Sequence, residues 1–157
     1  MENFLELIES AEKKLNLADH ILTVTYPLAK DQKLLITVAE NIFLSFNYAI
    51  TSLLYYELKY KRISSFDDSF KAKFSIFKDE CAERHGIENN HIKAIQDLRE
   101  ILLAHKKSPM EFSRKESFVI CDESYESKIL TPSFLKEHLK KAKLFIKRLS
   151  TIVKKEL

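Results

Sequence analysis

Apolar residues recur at three- and four-residue steps at the start of the chain. Phe4, Leu5, Ile8, Ala11 and Leu15 form one stripe, which predicts a first helix from about Glu2 to Leu17. Asp19 to Tyr26 is apolar and β-branched, and Pro27 is expected to interrupt it. A second helix is expected from Asp31, a good N-cap side chain, to about Arg62. Its middle is apolar nearly all round and should be the most buried element, with Phe43, Phe46, Ile50 and Leu54 in the core. Ser64 to Asp68 is a polar break. A third helix carries Phe70, Phe74, Phe77 and Cys81 on one side and ends at His85-Gly86-Ile87, with Gly86 in the left-handed C-terminal position.

Asn89 or Asn90 can cap a fourth helix that runs to about Lys107, and Pro109 ends it. The period then changes. Phe118 to Cys121 and Lys128 to Leu130 flank a polar stretch, Asp122 to Ser127, as in a small hairpin. The fifth helix is well marked, with Thr131 as N-cap, Pro132 at its first position and apolar residues to Val153. The pattern as a whole predicts an all-α bundle of four to five helices with a short β-hairpin-like insertion before the last helix. With no repeat and no low-complexity linker, residues 1–157 read as one domain.

Composition narrows the function. The single glycine excludes a P-loop or a dinucleotide fingerprint, each of which needs several glycines in one short loop. Two cysteines, Cys81 and Cys121, do not make a secreted disulfide framework. From Leu34 to Tyr56 the only charge is Glu40, so the segment is long enough to span a bilayer. Its Asn41, Ser45, Asn47, Thr51 and Ser52 favour a central helix of a soluble bundle. With no signal-peptide pattern at the start, a cytoplasmic protein without membrane attachment is expected.

The fourth helix holds the chemistry that stands out. At 100° per residue, Gln96, Lys107, Glu100, Lys93, Ala104 and Asp97 cover its solvent face. Arg99 and His105 fall inside the opposite, apolar arc. A cation on a contact face is costly unless it is paired or hydrated in a cleft. Arg99 is therefore either a buried structural ion pair or the wall of a functional pocket. His105 stands near the helix end, where the regular turn is expected to be finishing.

Arg99-Glu-Ile-Leu-Leu-Ala-His105 resembles the Arg-x(4–6)-His motif of the HEPN superfamily, whose members are all-α up-and-down bundles. The second helix, with Ala39-Glu40-Asn41 and Phe46-Asn47-Tyr48-Ala49-Ile50, is also similar to that of the family. The resemblance implies a metal-independent RNA endonuclease, toxin-like, acting as a homodimer with two motif copies facing across a two-fold axis. It needs no cofactor. His105 would then be the general acid or base on the ribose 2′-OH or the leaving oxygen, and Arg99 would stabilise charge on the phosphate. Positions six apart on a regular helix point about 120° apart, so one chain does not easily aim both at one atom, whereas two chains can. Many active members carry Asn, Asp or His directly after the Arg. Here it is Glu100, and an acid beside a phosphate weakens binding. The second expectation is therefore a non-catalytic bundle of the same type that binds a partner protein, an antitoxin among them, or a nucleotide. An unrelated helical interaction protein is the third.

Other signals are less specific. Lys106, Lys107, Arg114 and Lys115 follow His105 and are expected to bring positive charge, and RNA, to the site. From Ser133 onward eight Lys and Arg stand against Glu137 and Glu156, a basic face that either holds an RNA backbone or is simply solvated. Cys81, His85 and His91 fall short of the four ligands of a structural zinc site, and no metal is expected. The apolar arc of the fourth helix is wider than a one-sided surface helix requires. A homodimer is expected to bury its edge near Leu98, Ile101 and His105.

Overall fold

The computed structural model describes residues 3–155; Glu2, the expected first residue of helix one, lies outside them. Helix α1 spans Phe4–His20, capped by Asn3 Oδ1, which accepts the Leu5 N–H at 2.9 Å. It does not stop before Pro27. The chain widens into a π-helical turn, Ile21–Thr25, and resumes as a last turn, α2, Tyr26–Ala29. The wide turn closes with the Tyr26 N–H on the Ile21 carbonyl, and Pro27, which has no N–H to give, follows at the start of α2. Lys30, at φ 51°, ends the element.

Helix α3, Leu34–Lys59, starts later than expected. Asp31 does not cap it. Its carboxylate instead accepts the Lys33 N–H at 3.0 Å and closes the turn that leads in. Phe46, Ile50 and Leu54 are wholly buried, as their spacing requires, while Phe43 is half-buried at the edge. By length and hydropathy α3 passes for a membrane-spanning helix, and in this fold α1, α4, α5 and α6 pack around it. Each fully buried large apolar side chain contributes about 1.5–3 kcal/mol.

Ser69 Oγ accepts the Ala72 N–H at 3.2 Å and starts α4, Phe70–Ile76, which passes into a second π turn, Phe77–Cys81. Gly86, at φ 65°, turns the chain out, in the left-handed geometry expected there. Helix α5, Asn89–Lys107, has Glu88 at its N-cap without a side-chain bond, so neither Asn89 nor Asn90 caps it. His105 lies inside this regular helix.

The insertion is a three-stranded antiparallel sheet rather than a hairpin. Strand β1, Met110–Arg114, pairs with β2, Ser117–Cys121, which pairs with β3, Ser127–Leu130. Ser108 Oγ lies 2.7 and 2.6 Å from the Met110 and Cys121 carbonyl oxygens, with one hydroxyl proton shared between them, and fixes where β1 leaves α5. Phe118, Val119 and Ile120 are buried, and β2 lies against α5 and α3. Helix α6, Pro132–Val153, opens on Thr131, whose Oγ1 accepts the Phe134 N–H at 3.1 Å. The architecture is a helical bundle with a small sheet inserted before its last helix.

Candidate functional site

Helix α5 carries the two motif residues on a regular helix, so Arg99 and His105 point about 120° apart and stand about 9 Å apart along its axis. They open into different grooves. Arg99 is half-buried, with its guanidinium carbon 4.9 Å from the centre of the Phe70 ring. Phe70 stacks on Phe74 and meets Phe43, with ring centres 5.4 and 4.8 Å apart. No carboxylate among the described residues lies within ion-pair distance of Arg99. Of the two expectations, the buried ion pair is absent, and Arg99 walls a groove of about 470 Å³ together with Lys71, Lys78 and Glu100. The cation rests on an aromatic face, an arrangement that holds it without neutralising it.

His105 opens into a second groove, of about 430 Å³, shared with Glu40, Phe43, Leu44, Leu102 and Lys106. Its Nδ1 lies 2.5 Å from Glu111 Oε2, and the two side chains are 34% and 23% exposed. A carboxylate only accepts, so Nδ1 carries the proton in this bond and Nε2 is the nitrogen left for other work. Glu111 sits on β1, a strand that was not legible in the sequence, and sequence reasoning missed it. Met110-Glu111-Phe112-Ser113-Arg114 is too short and too exposed to show a buried period, and its turn, Lys115-Glu116, lacks the Asn-Gly or Asp-Gly signature although Glu116 takes φ 57°.

The basic residues after His105 divide. Lys106 lines the same groove, and Lys107 is exposed in the final turn of α5. Both also complement the helix C-terminus, which favours cations in any protein. Strand β1 carries Arg114 and Lys115 away: Arg114 lies about 10 Å along the strand from Glu111 and over the Phe112 ring, and Lys115 faces Tyr26 and Lys136 across a separate cleft. They do not charge the His105 groove. The expected dimer edge is also corrected. Leu98 and Ile101 are buried in the chain's own core, and the exposed apolar side chains on the two grooves are Leu44, beside His105, and Leu103, beside Arg99.

A second constellation escaped the sequence reading. Glu57 is wholly buried, and Arg62 Nη1, Arg84 Nη1 and His85 Nε2 reach its carboxylate at 3.0, 2.6 and 2.8 Å. Burial pushes the Glu57 carboxyl up, but the three donors outweigh it and hold it below the usual carboxylate range. The same burial, with Glu57 alongside, pushes the Cys81 thiol up to about 12. The signal was present: Glu57 continues the stripe Phe46, Ile50, Leu53 at helical spacing and therefore points inward. The cluster ties the end of α3 to the turn after the second π segment, and Arg148 adds a bond to the His85 carbonyl at 2.8 Å.

His85 thus turns to Glu57, while His91 packs edge-on against Phe145 at 5.7 Å. Among the described residues no group of three metal-ligating side chains gathers. The basic face of α6 is partly spent on structure, since Lys143 pairs with Asp19 at 3.0 Å and Lys154 with Glu12 at 3.5 Å. No protein-family model matches the chain, and no curated protein matches its sequence.

Proposed function

We propose that this protein is a metal-independent ribonuclease of HEPN type: an up-and-down bundle that acts as a homodimer in which Arg99 of one copy and His105 of the other serve one site. The observation that carries the reading is the state of the two side chains. Arg99 rests on the Phe70 ring with no carboxylate among the described residues in ion-pair reach, and His105, held by Glu111 through Nδ1, lines a groove. Neither is sealed in the core. A two-fold contact over Leu103 and Leu44 is a way to bring the two grooves together, because one chain holds them on different sides of α5.

In the reaction, the 2′-OH of a ribose attacks the adjacent phosphorus and the 5′-oxygen leaves. The products are a 2′,3′-cyclic phosphate and a 5′-hydroxyl. His105 Nε2 takes the 2′-OH proton or, protonated, gives one to the leaving oxygen. Glu111 holds the ring in the tautomer this needs, as a carboxylate does for a catalytic histidine elsewhere. Arg99, aided by Lys71 and Lys78 in the same groove, faces the phosphate charge that builds in the transition state. A toxin-like role, with a protein antitoxin covering the site, belongs to this reading.

Glu100 favours a second reading. Its carboxylate lines the Arg99 groove, where it opposes a phosphate, and this suits a non-catalytic bundle that binds a partner protein or a nucleotide. The purified protein incubated with RNA in chelator separates the two. Cleavage to cyclic-phosphate ends, with DNA left intact, supports the nuclease. A stable, folded protein that leaves varied RNA untouched moves the function to partner binding.

A further inference from the structure

A cleft of about 980 Å³, at the upper end of ordinary small-ligand sites, opens at the far end of the β1–β2 hairpin. It stands about 13 Å along β1 from Glu111 and does not depend on the ribonuclease reading. Three separate elements each bring one lysine to it: Lys30 after α2, Lys115 in the β1–β2 turn and Lys136 in the first turns of α6. Among the described residues none of the three forms an ion pair, and the one carboxylate on the cleft is Glu116.

Two hydroxyl side chains line the same space without a hydrogen-bond partner. Tyr26 and Ser117 are each only 9% exposed, so both are more than nine-tenths buried, and neither side chain has a hydrogen bond within the chain. Neither hydroxyl oxygen is sealed from solvent, since the one buried side-chain polar atom without a partner among the described residues is His138 Nε2, so both hydroxyls are open to an occupant of the cleft. The start of α6 adds the favourable end of a long helix dipole. Pro132 has no N–H and Thr131 Oγ1 already takes that of Phe134, so the helix offers Ser133 alone and the lysines supply most of the charge. Leu22 and Ile129 give the cleft an apolar wall.

We propose that this cleft binds a small phosphate ester, with the phosphate dianion among the three lysines and the Tyr26 and Ser117 hydroxyls and the organic part against Leu22 and Ile129. Three cations against one carboxylate match a dianion better than a single carboxylate ligand, and the apolar wall distinguishes an ester from free phosphate.

Phenyl phosphate titrated into the full-length protein, followed by calorimetry and by amide shifts at Ser117 and Ser133, tests this. Saturable binding at one site, tighter than for inorganic phosphate and absent for phenol, is the expected result. Tyr26→Phe and Lys136→Gln should each weaken it roughly tenfold, the scale of one hydrogen bond to a charged group. Glu116→Gln should tighten it, and Lys140→Gln, outside the cleft, should leave it unchanged. Melting temperatures of all variants, compared with the parent, keep loss of binding separate from loss of folding. The proposal is overturned if phenyl phosphate does not saturate, if Lys140→Gln weakens binding as much as Lys136→Gln, or if a short RNA occupies the cleft while phenyl phosphate does not.

Discussion

His105 donates its Nδ1 proton to Glu111 Oε2 over 2.5 Å, so the last turns of α5 and strand β1 are joined through one imidazole. Both partners are partly solvated, which makes the bond a weak contributor to stability. Its effect is to place the imidazole proton on Nδ1 and leave Nε2 as the nitrogen able to take one.

Glu111→Gln therefore separates orientation from folding. On the ribonuclease account, it should lower kcat by about tenfold or more with KM little changed, since a carboxylate that orients a histidine acts on the chemical step. Its melting temperature should move by less than about 3 °C. A large fall in melting temperature with unchanged kcat would make Glu111 a structural strut instead.

Glu57→Gln should behave in the opposite way. The variant leaves Arg62, Arg84 and His85 around a neutral amide. Removing one partner from such a buried cluster costs about 3 kcal/mol, at the low end because both arginines are partly in water. Thermal melting should show a fall of roughly 6–12 °C at neutral pH. A shift under about 2 °C would mean that the cluster adds little net stability.

Acid should destabilise the protein in two stages. His138 donates Nδ1–H to the Phe134 carbonyl at 3.0 Å, and its Nε2 is buried without a partner. Burial pushes His138 and His91 below the ordinary histidine value of 6.5, and Lys141 adds to the effect on both. Folding thus favours their neutral forms, so the unfolded chain binds more protons once the pH drops below about 6.5, and stability falls there. Glu57 has a lowered value from an ordinary 4.5, so its contribution is full above that pH and is lost as the pH falls through the lower folded-state value. Melting temperature against pH should decline first below about 6.5, and His138→Leu should flatten that first step. A curve flat from pH 7 to 5 would contradict the assignment.

Leu103 and Leu44 are 44% and 37% exposed beside the two grooves. If they form the contact between copies, Leu103→Glu should shift sedimentation from dimer to monomer and abolish cleavage while leaving the melting of the monomer unchanged. A parent that stays monomeric at high concentration would remove the composite site.

The helices were legible because their signals are local. The stripe of α3, the Thr131-Pro132 start of α6 and the left-handed Gly86 each read directly from spacing or residue type. Two kinds of feature were not. The π turn before Pro27 is a compromise between a helix that continues and a residue that cannot donate, and the Asp19–Tyr26 pattern by itself gives only the interruption. Strand β1 is made by its pairing with β2, not by its own pattern. The candidate site divides along the same line. Arg99 and His105 stood out as cations on an apolar arc, but Glu111 and Phe70, which decide what those two can do, come from segments distant in the helical pattern.

The central claim is that Arg99 and His105 meet across two copies rather than within one. Mixing the two inactive variants, Arg99→Ala and His105→Ala, after subunit exchange measures it most directly. In a mixed dimer one composite site keeps an intact Arg99 from one copy and an intact His105 from the other, while the opposite site lacks both. Random exchange should then restore about a quarter of the parent's RNA cleavage from two proteins that are each lowered roughly 10²-fold or more alone. A mixture no more active than its components, under conditions where mixed dimers form, would contradict the shared site.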